Sequence, residues 1–199
     1  MSYRAKIERY LAQEAQPVDK YGHQPRLYAL TRQVGVGLEY DDDIVHAAVW
    51  LHDLGVFYGH RPSELAAIEK WDSVRYAMDR TPALLTEFGF PAAKVDAVVE
   101  AIRTHQPSGD PQTIEGIILR DADTLEQLGA IAILRTVSKV GRDTRFARFT
   151  EAVANLKKTL ATVPAMIRLD ATRALAQPKI VALQSFLDAV GAEDQGALE

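Results

Sequence analysis

Residues 47–55 read Ala47-Ala48-Val49-Trp50-Leu51-His52-Asp53-Leu54-Gly55, an apolar stretch broken once, by a His-Asp dipeptide. Asp41, Asp42 and Asp43 stand just before it as good helix caps, and Ile44, Ala47, Ala48 and Leu51 keep the three-to-four spacing of a small buried helix ending near Gly55. A charged pair inside such a segment needs partners, because burying it alone is costly. Adjacent helical residues point about 100° apart, so His52 and Asp53 can share one ion only if it lies between their two directions. Further ligands must then come from elsewhere in the chain. Two residues fit: His23, in Gly22-His23-Gln24-Pro25-Arg26, and Asp123, in Leu119-Arg120-Asp121-Ala122-Asp123-Thr124-Leu125. Together they make a set of two imidazoles and two carboxylates.

Outward from this centre the spacing of apolar residues predicts helices almost throughout, separated by short breaks rich in Gly, Pro or Asp. A first helix spans about Tyr3 to Glu14, and Pro17 with Gly22 marks a turn into a second that carries His23, Leu27, Leu30 and Val34. After a loop at 56–62, Ser63 and Glu64 suggest a cap for a helix to about Arg80, and Pro82 is read as opening another short helix. Helices follow from Pro91 to His105, from Thr113 to about Leu128, and from Gly129 to Val140. Two amphipathic helices, roughly 143–160 and 165–190, close the chain, with a tail after Gly191 expected to fray. The expected architecture is an all-α helical bundle forming one domain over 1–199, with its core at 20–190.

The chain has 199 residues, 47% hydrophobic and 25% charged, with a net charge of -4. That balance is globular and offers no basic stripe for a phosphate backbone, so nucleic acid is not an expected partner. Without cysteine, thiolate sites are excluded and any metal must rest on imidazole and carboxylate. The first residues carry Arg4, Lys6, Glu8 and Arg9 and no long apolar run. Neither a signal peptide nor a membrane span is expected there, and a cytoplasmic address follows as the expectation.

In order along the chain, His23 with Arg26, the apolar segment ending in His52-Asp53-Leu54-Gly55, and Asp121-Ala122-Asp123-Thr124-Leu125 resemble the HD-domain superfamily. Its pattern is a His, then a His-Asp dipeptide, then a distant Asp, all on helices around a divalent metal. Gly89-Phe90-Pro91, Ile102-Arg103-Thr104-His105 and Leu128-Gly129-Ala130-Ile131 look like stretches of a bacterial subgroup of HD phosphohydrolases, so about residues 20–190 are covered. The resemblance implies that His23, His52, Asp53 and Asp123 hold the metal. Asp123 is preferred over Asp121 because the last metal aspartate usually precedes an x-Leu pair. Asp121 is then expected to orient a ligating group or contact Arg120.

Nitrogen and oxygen ligands of this kind suit Mn²⁺, Mg²⁺, Fe²⁺, Co²⁺, Ni²⁺ or Zn²⁺. Such an ion lowers the pKa of a bound water and polarises a phosphorus centre, which makes attack by metal-bound water on a phosphoester or phosphoanhydride the implied reaction. Cations must hold the phosphate, because charge accumulates on its oxygens. Arg26, one turn after His23, is the first candidate, with Arg120 and Arg103 behind it. His105 reads equally as a helix cap, a general acid or base, or a ligand to a second metal. His60 is most simply a surface histidine, His46 a structural one, and Trp50 and Trp71 core residues. The substrate class implied is a phosphorylated small molecule, most plausibly a nucleotide. A di-iron oxygenase on the same scaffold would need more histidines than this chain offers. A non-catalytic metal- or nucleotide-binding module is the rival from a different class.

Overall fold

The computed structural model describes residues 1–17, 22–141 and 146–198. Among the described residues there are ten α-helices and no strand, and an isolated bridge joins Tyr58 to Arg61. The chain separates into two compact units, Met1–Arg120 and Asp121–Glu199.

The first unit is organised around α3 (Asp42–Leu51), in which every residue from Ile44 to Leu51 is buried. A helix apolar on all sides must be covered on all sides. Helices α1 (Tyr3–Glu14), α2 (His23–Val34) and α6 (Val95–Thr104) do so. The Tyr28 ring meets His46 at 5.0 Å and His23 meets His52 at 5.4 Å, so α2 runs antiparallel to α3. Fully burying Val45, Val49 and Leu51 contributes about 1.5–3 kcal/mol each relative to exposure. Its N-terminus is capped by Asp41, whose carboxylate accepts from the Asp43 N–H. The neighbouring carboxylates of Asp42 and Asp43 accept from Arg4, and Lys94 donates to Asp43.

The sequence places a helix at 63–80 and a new one at Pro82, whereas the structure has a single turn, α4 (Leu65–Ile68), followed by a continuous α5 (Ser73–Phe88) with Pro82 inside it. The break falls earlier because Asp72 caps α5 through the Arg75 N–H at 2.8 Å. Pro82 costs the helix one N–H donor. The hydroxyls of Thr81 and Thr86, donating to the carbonyls of Ala77 and Pro82, add local bonds on either side. Gly89, left-handed at φ 77°, ends the helix, and the Phe90 N–H returns to the Leu85 carbonyl.

Helix α7 (Ile114–Glu126) begins in the first unit and ends in the second. In the second unit α8 (Gly129–Val137), α9 (Phe149–Thr162) and α10 (Asp170–Glu193) pack on one another. The expected helix at 143–160 begins later, at Phe149, and residues 143–145 lie outside the described ones. The expected turn at 17–22 likewise falls largely on residues 18–21, outside them. The last helix starts at Asp170 rather than 165, because a 3-10 turn at Pro164–Met166 and extended backbone at Ile167 and Leu169 come first.

Candidate metal centre

Three of the four expected ligands come together. One ligand atom from each of His23, His52 and Asp53 lies within 4.8 Å of the other two. The Asp53 Oδ2 is 3.6 Å from His23 Nε2 and 3.6 Å from His52 Nε2. Both imidazoles are buried and the carboxylate is partly open.

Local structure explains the convergence. His52 is the C-cap of α3, and its own N–H closes the last turn onto the Ala48 carbonyl. Asp53 then leaves the helical path at φ −96° and ψ 9°, and residues Leu54–Val56 form a 3-10 turn closed by the Val56 N–H on the Asp53 carbonyl at 2.9 Å. That departure lets two consecutive residues aim at one place. His23 arrives from the opposite side as the first residue of α2, behind Gly22.

The protonation of His52 is set by its neighbour. Its Nδ1 lies 2.8 Å from the Val49 carbonyl, which can only accept, so the proton sits on Nδ1 and the lone pair on Nε2 faces Asp53 and His23. Metal-binding histidines are oriented in this way. The spacing also fits an ion. Ligand atoms about 2.1 Å from a metal, at angles of roughly 90–120°, are separated by about 3.0–3.6 Å. Two nitrogens and a carboxylate oxygen form a donor set for a divalent first-row metal.

His105 belongs to the same neighbourhood. Its ring centre is 4.9 Å from that of His52, it is buried, and its Nδ1–H donates to the Ile102 carbonyl at 2.6 Å, so the lone pair of the neutral ring is on Nε2. Asp123 sits half-buried on the part of α7 that belongs to the second unit. Asp121 is fully buried, and its carboxylate accepts the backbone N–H groups of Arg168 and Leu169 just ahead of α10. That is an architectural task, and it differs from the orienting role expected of it.

The arginines divide. The Arg26 guanidinium lies over Gly22, where a Cβ would meet its Nη1 at 2.9 Å. Arg120 is buried and donates to the Pro107 carbonyl at 2.6 Å. Arg103, expected at the substrate, is instead exposed and held by two 2.7 Å bonds to Glu100 on the same helix. The Ile102 and His105 side chains face inward, and Arg103 stands between them in sequence on the outer face of α6.

His60 is no ordinary surface histidine. Its ring is nearly covered, accepting from the Tyr76 hydroxyl at 2.9 Å and donating to Glu14 at 2.8 Å. His46 is buried and donates to Glu8 at 2.8 Å; burial pushes its pKa down, with Glu8 partly opposing. Trp71 was expected in the core but is half-buried, and its indole N–H donates to the Gly55 carbonyl at 2.7 Å. A tryptophan beside Asp72 on a polar helix start gives no sequence signal for that bond.

The HD domain family matches residues 21–128, a span that includes His23, His52, Asp53 and Asp123, and the chain belongs to that family. No curated protein matches the sequence. Among solved structures, Bacillus subtilis YpgQ is 21% identical with a TM-score of 0.75, over 98% of this chain and 96% of that one. The same Bacillus protein has also been solved in complex with ADP, where the identity is 22% and the TM-score 0.75, over 98% of this chain and 96% of that one. A predicted HD superfamily hydrolase from an uncultured Thermotogales bacterium is 21% identical with a TM-score of 0.67, over 96% of this chain and 93% of that one. These likenesses show the fold. No helix among the described residues is long and apolar enough to cross a membrane.

Proposed function

We propose that the chain is a metal-dependent phosphohydrolase that cleaves a phosphoester or phosphoanhydride of a nucleotide or related small metabolite. The observation that carries this reading is the convergence of His23, His52 and Asp53 on one point, with the His52 lone pair turned toward it. Asp123, within the family match and followed by Thr124-Leu125, is the proposed fourth ligand. Nucleotide as the substrate class is supported by the ADP complex of the Bacillus protein.

A divalent ion bound there would lower the pKa of a coordinated water and polarise a phosphoryl oxygen, worth several kcal/mol at the transition state. The protein's own groups supply the rest. Arg26, at the start of α2 beside His23, would neutralise phosphate oxygens, with Arg120 as the second candidate. His105, next to His52, would hold or move a proton at Nε2. His60, bonded to both Tyr76 and Glu14, is committed elsewhere, which favours one metal over two.

The test is metal quantification followed by a screen of nucleotides and phosphate esters with Mn²⁺, Co²⁺, Ni²⁺ and Mg²⁺. One ion per chain and metal-dependent phosphate or pyrophosphate release is the expected result. Two irons with oxygen consumption would replace this reading with the oxygenase one. Tight nucleotide binding without turnover under every metal would make the protein a binding module.

A further inference from the structure

We propose that Trp71 is a positioning residue for the metal-binding turn, acting through the backbone of Gly55 on the direction of the Asp53 carboxylate. The inference rests on the metal reading of His23, His52 and Asp53.

Asp53 and Gly55 belong to one tight turn, in which the Val56 N–H bonds the Asp53 carbonyl and the Phe57 N–H bonds that of Leu54. Nothing within those bonds fixes how the turn as a whole is rotated against the end of α3. The segment that leads into α5 does. The Trp71 indole N–H holds the Gly55 carbonyl at 2.7 Å, and the Gly55 Cα backs onto Ser73 so closely that a Cβ would come within 2.4 Å of the Ser73 carbonyl oxygen and 2.7 Å of its Cα. Both obstacles are backbone, so no side chain at 55 could be accommodated by a rotamer change. Residue 55 is thus gripped through its carbonyl and through its missing side chain.

The grip is itself anchored. The Trp71 ring packs on Tyr76 at 5.2 Å, and the Tyr76 hydroxyl donates to His60, which donates to Glu14 on α1. Residues 55 and 60 are therefore tied by two separate hydrogen bonds, one to Trp71 just ahead of α5 and one to Tyr76 within it. Only the first lies within two residues of a ligand. This difference separates positioning from general stability, because removing either bond costs the fold one side-chain hydrogen bond.

The experiment compares Trp71→Phe, which keeps a ring but loses the donor, with Tyr76→Phe, which loses the bond to His60. Metal-stripped proteins are titrated calorimetrically with Mn²⁺, and amide exchange at Val56 is followed without metal. Trp71→Phe is expected to weaken Mn²⁺ about tenfold, the scale typical of groups that orient ligands from outside. It should also speed exchange at Val56. Tyr76→Phe should leave the Mn²⁺ Kd within twofold of wild type. A wild-type Kd in Trp71→Phe overturns the proposal, and so does an equal loss in Tyr76→Phe. If Trp71→Phe does not fold, Trp71→Leu, also without a donor, is read by the same criteria. A wild-type protein that binds no divalent ion would overturn the metal reading as well, whereas wild-type binding with an indifferent Trp71→Phe overturns this inference alone.

Discussion

The two ends of α3 carry the same kind of residue and treat it in opposite ways. At the N-terminal end, Asp42 and Asp43 are in direct contact with protein cations, with Arg4 at 2.8 and 2.6 Å and Lys94 at 3.0 Å from Asp43. At the C-terminal end, the Asp53 oxygen stands 3.6 Å from each of two imidazole nitrogens, too far for a hydrogen bond and suited to an ion between them. A carboxylate neutralised by arginine is finished chemistry and serves stability. A carboxylate oxygen at this spacing from two imidazole nitrogens matches the donor geometry of a divalent cation. Pairing with cations at one end and convergence with two imidazoles at the other are what distinguish the two ends of one helix.

The sharpest way to break this contrast is at the open end. His52→Ala or Asp53→Ala is expected to lower divalent metal content to background and abolish hydrolysis, with far-UV circular dichroism unchanged. Full activity in either metal-free variant would remove the distinction between the two ends. At the closed end, Arg4→Ala strips three side-chain bonds from Asp42 and Asp43. Because the group is partly exposed, the expected loss is about 1–3 kcal/mol in urea unfolding, with the Mn²⁺ Kd unaltered.

A pH series sharpens the same point. Partial burial pushes the Asp43 carboxyl up, but hydrogen bonds from Arg4, Tyr3 and Lys94 outweigh it and hold the group well below the usual carboxylate range. A depressed folded pKa gives stability that is fully present above the unfolded value of about 4 and is lost as pH falls below it toward the folded value. The stability gap between wild type and Arg4→Ala should therefore narrow from pH 5 to pH 3, as urea midpoints would report. The smallest effect is expected at Arg103→Ala. Its pair with Glu100 is exposed, so urea midpoints should hardly move. The kcat/KM should stay within about twofold, and a larger drop would return Arg103 to the substrate.

What could be read in the sequence depended on whether the cause was local. α1 follows from apolar spacing within its own segment and matches at both ends, and α2 carries His23, Leu27, Leu30 and Val34 as expected. The break before α5 did not show, since Glu69-Lys70-Trp71-Asp72 holds neither Gly nor Pro and Pro82 looked like the stronger stop. The grouping of His52 and Asp53 was legible because polar residues at the end of an apolar helix demand an explanation, and the structure brings His23 to them. Arg103 misled for the converse reason: a cation two residues from His105 says nothing about which face of α6 it takes. Trp71 was invisible as a positioning group, because its partner is a backbone carbonyl and no residue type marks that.

The all-round burial of α3 has one more consequence. Its first turn is bolted to Arg4 and Lys94, and His52 and Asp53 follow its last residue, so its ten residues act as a ruler of fixed length between the two. One added residue would advance His52 by about 1.5 Å and swing it by about 100°, and no rotamer could recover the aim. The length of α3 is therefore held more tightly than its composition.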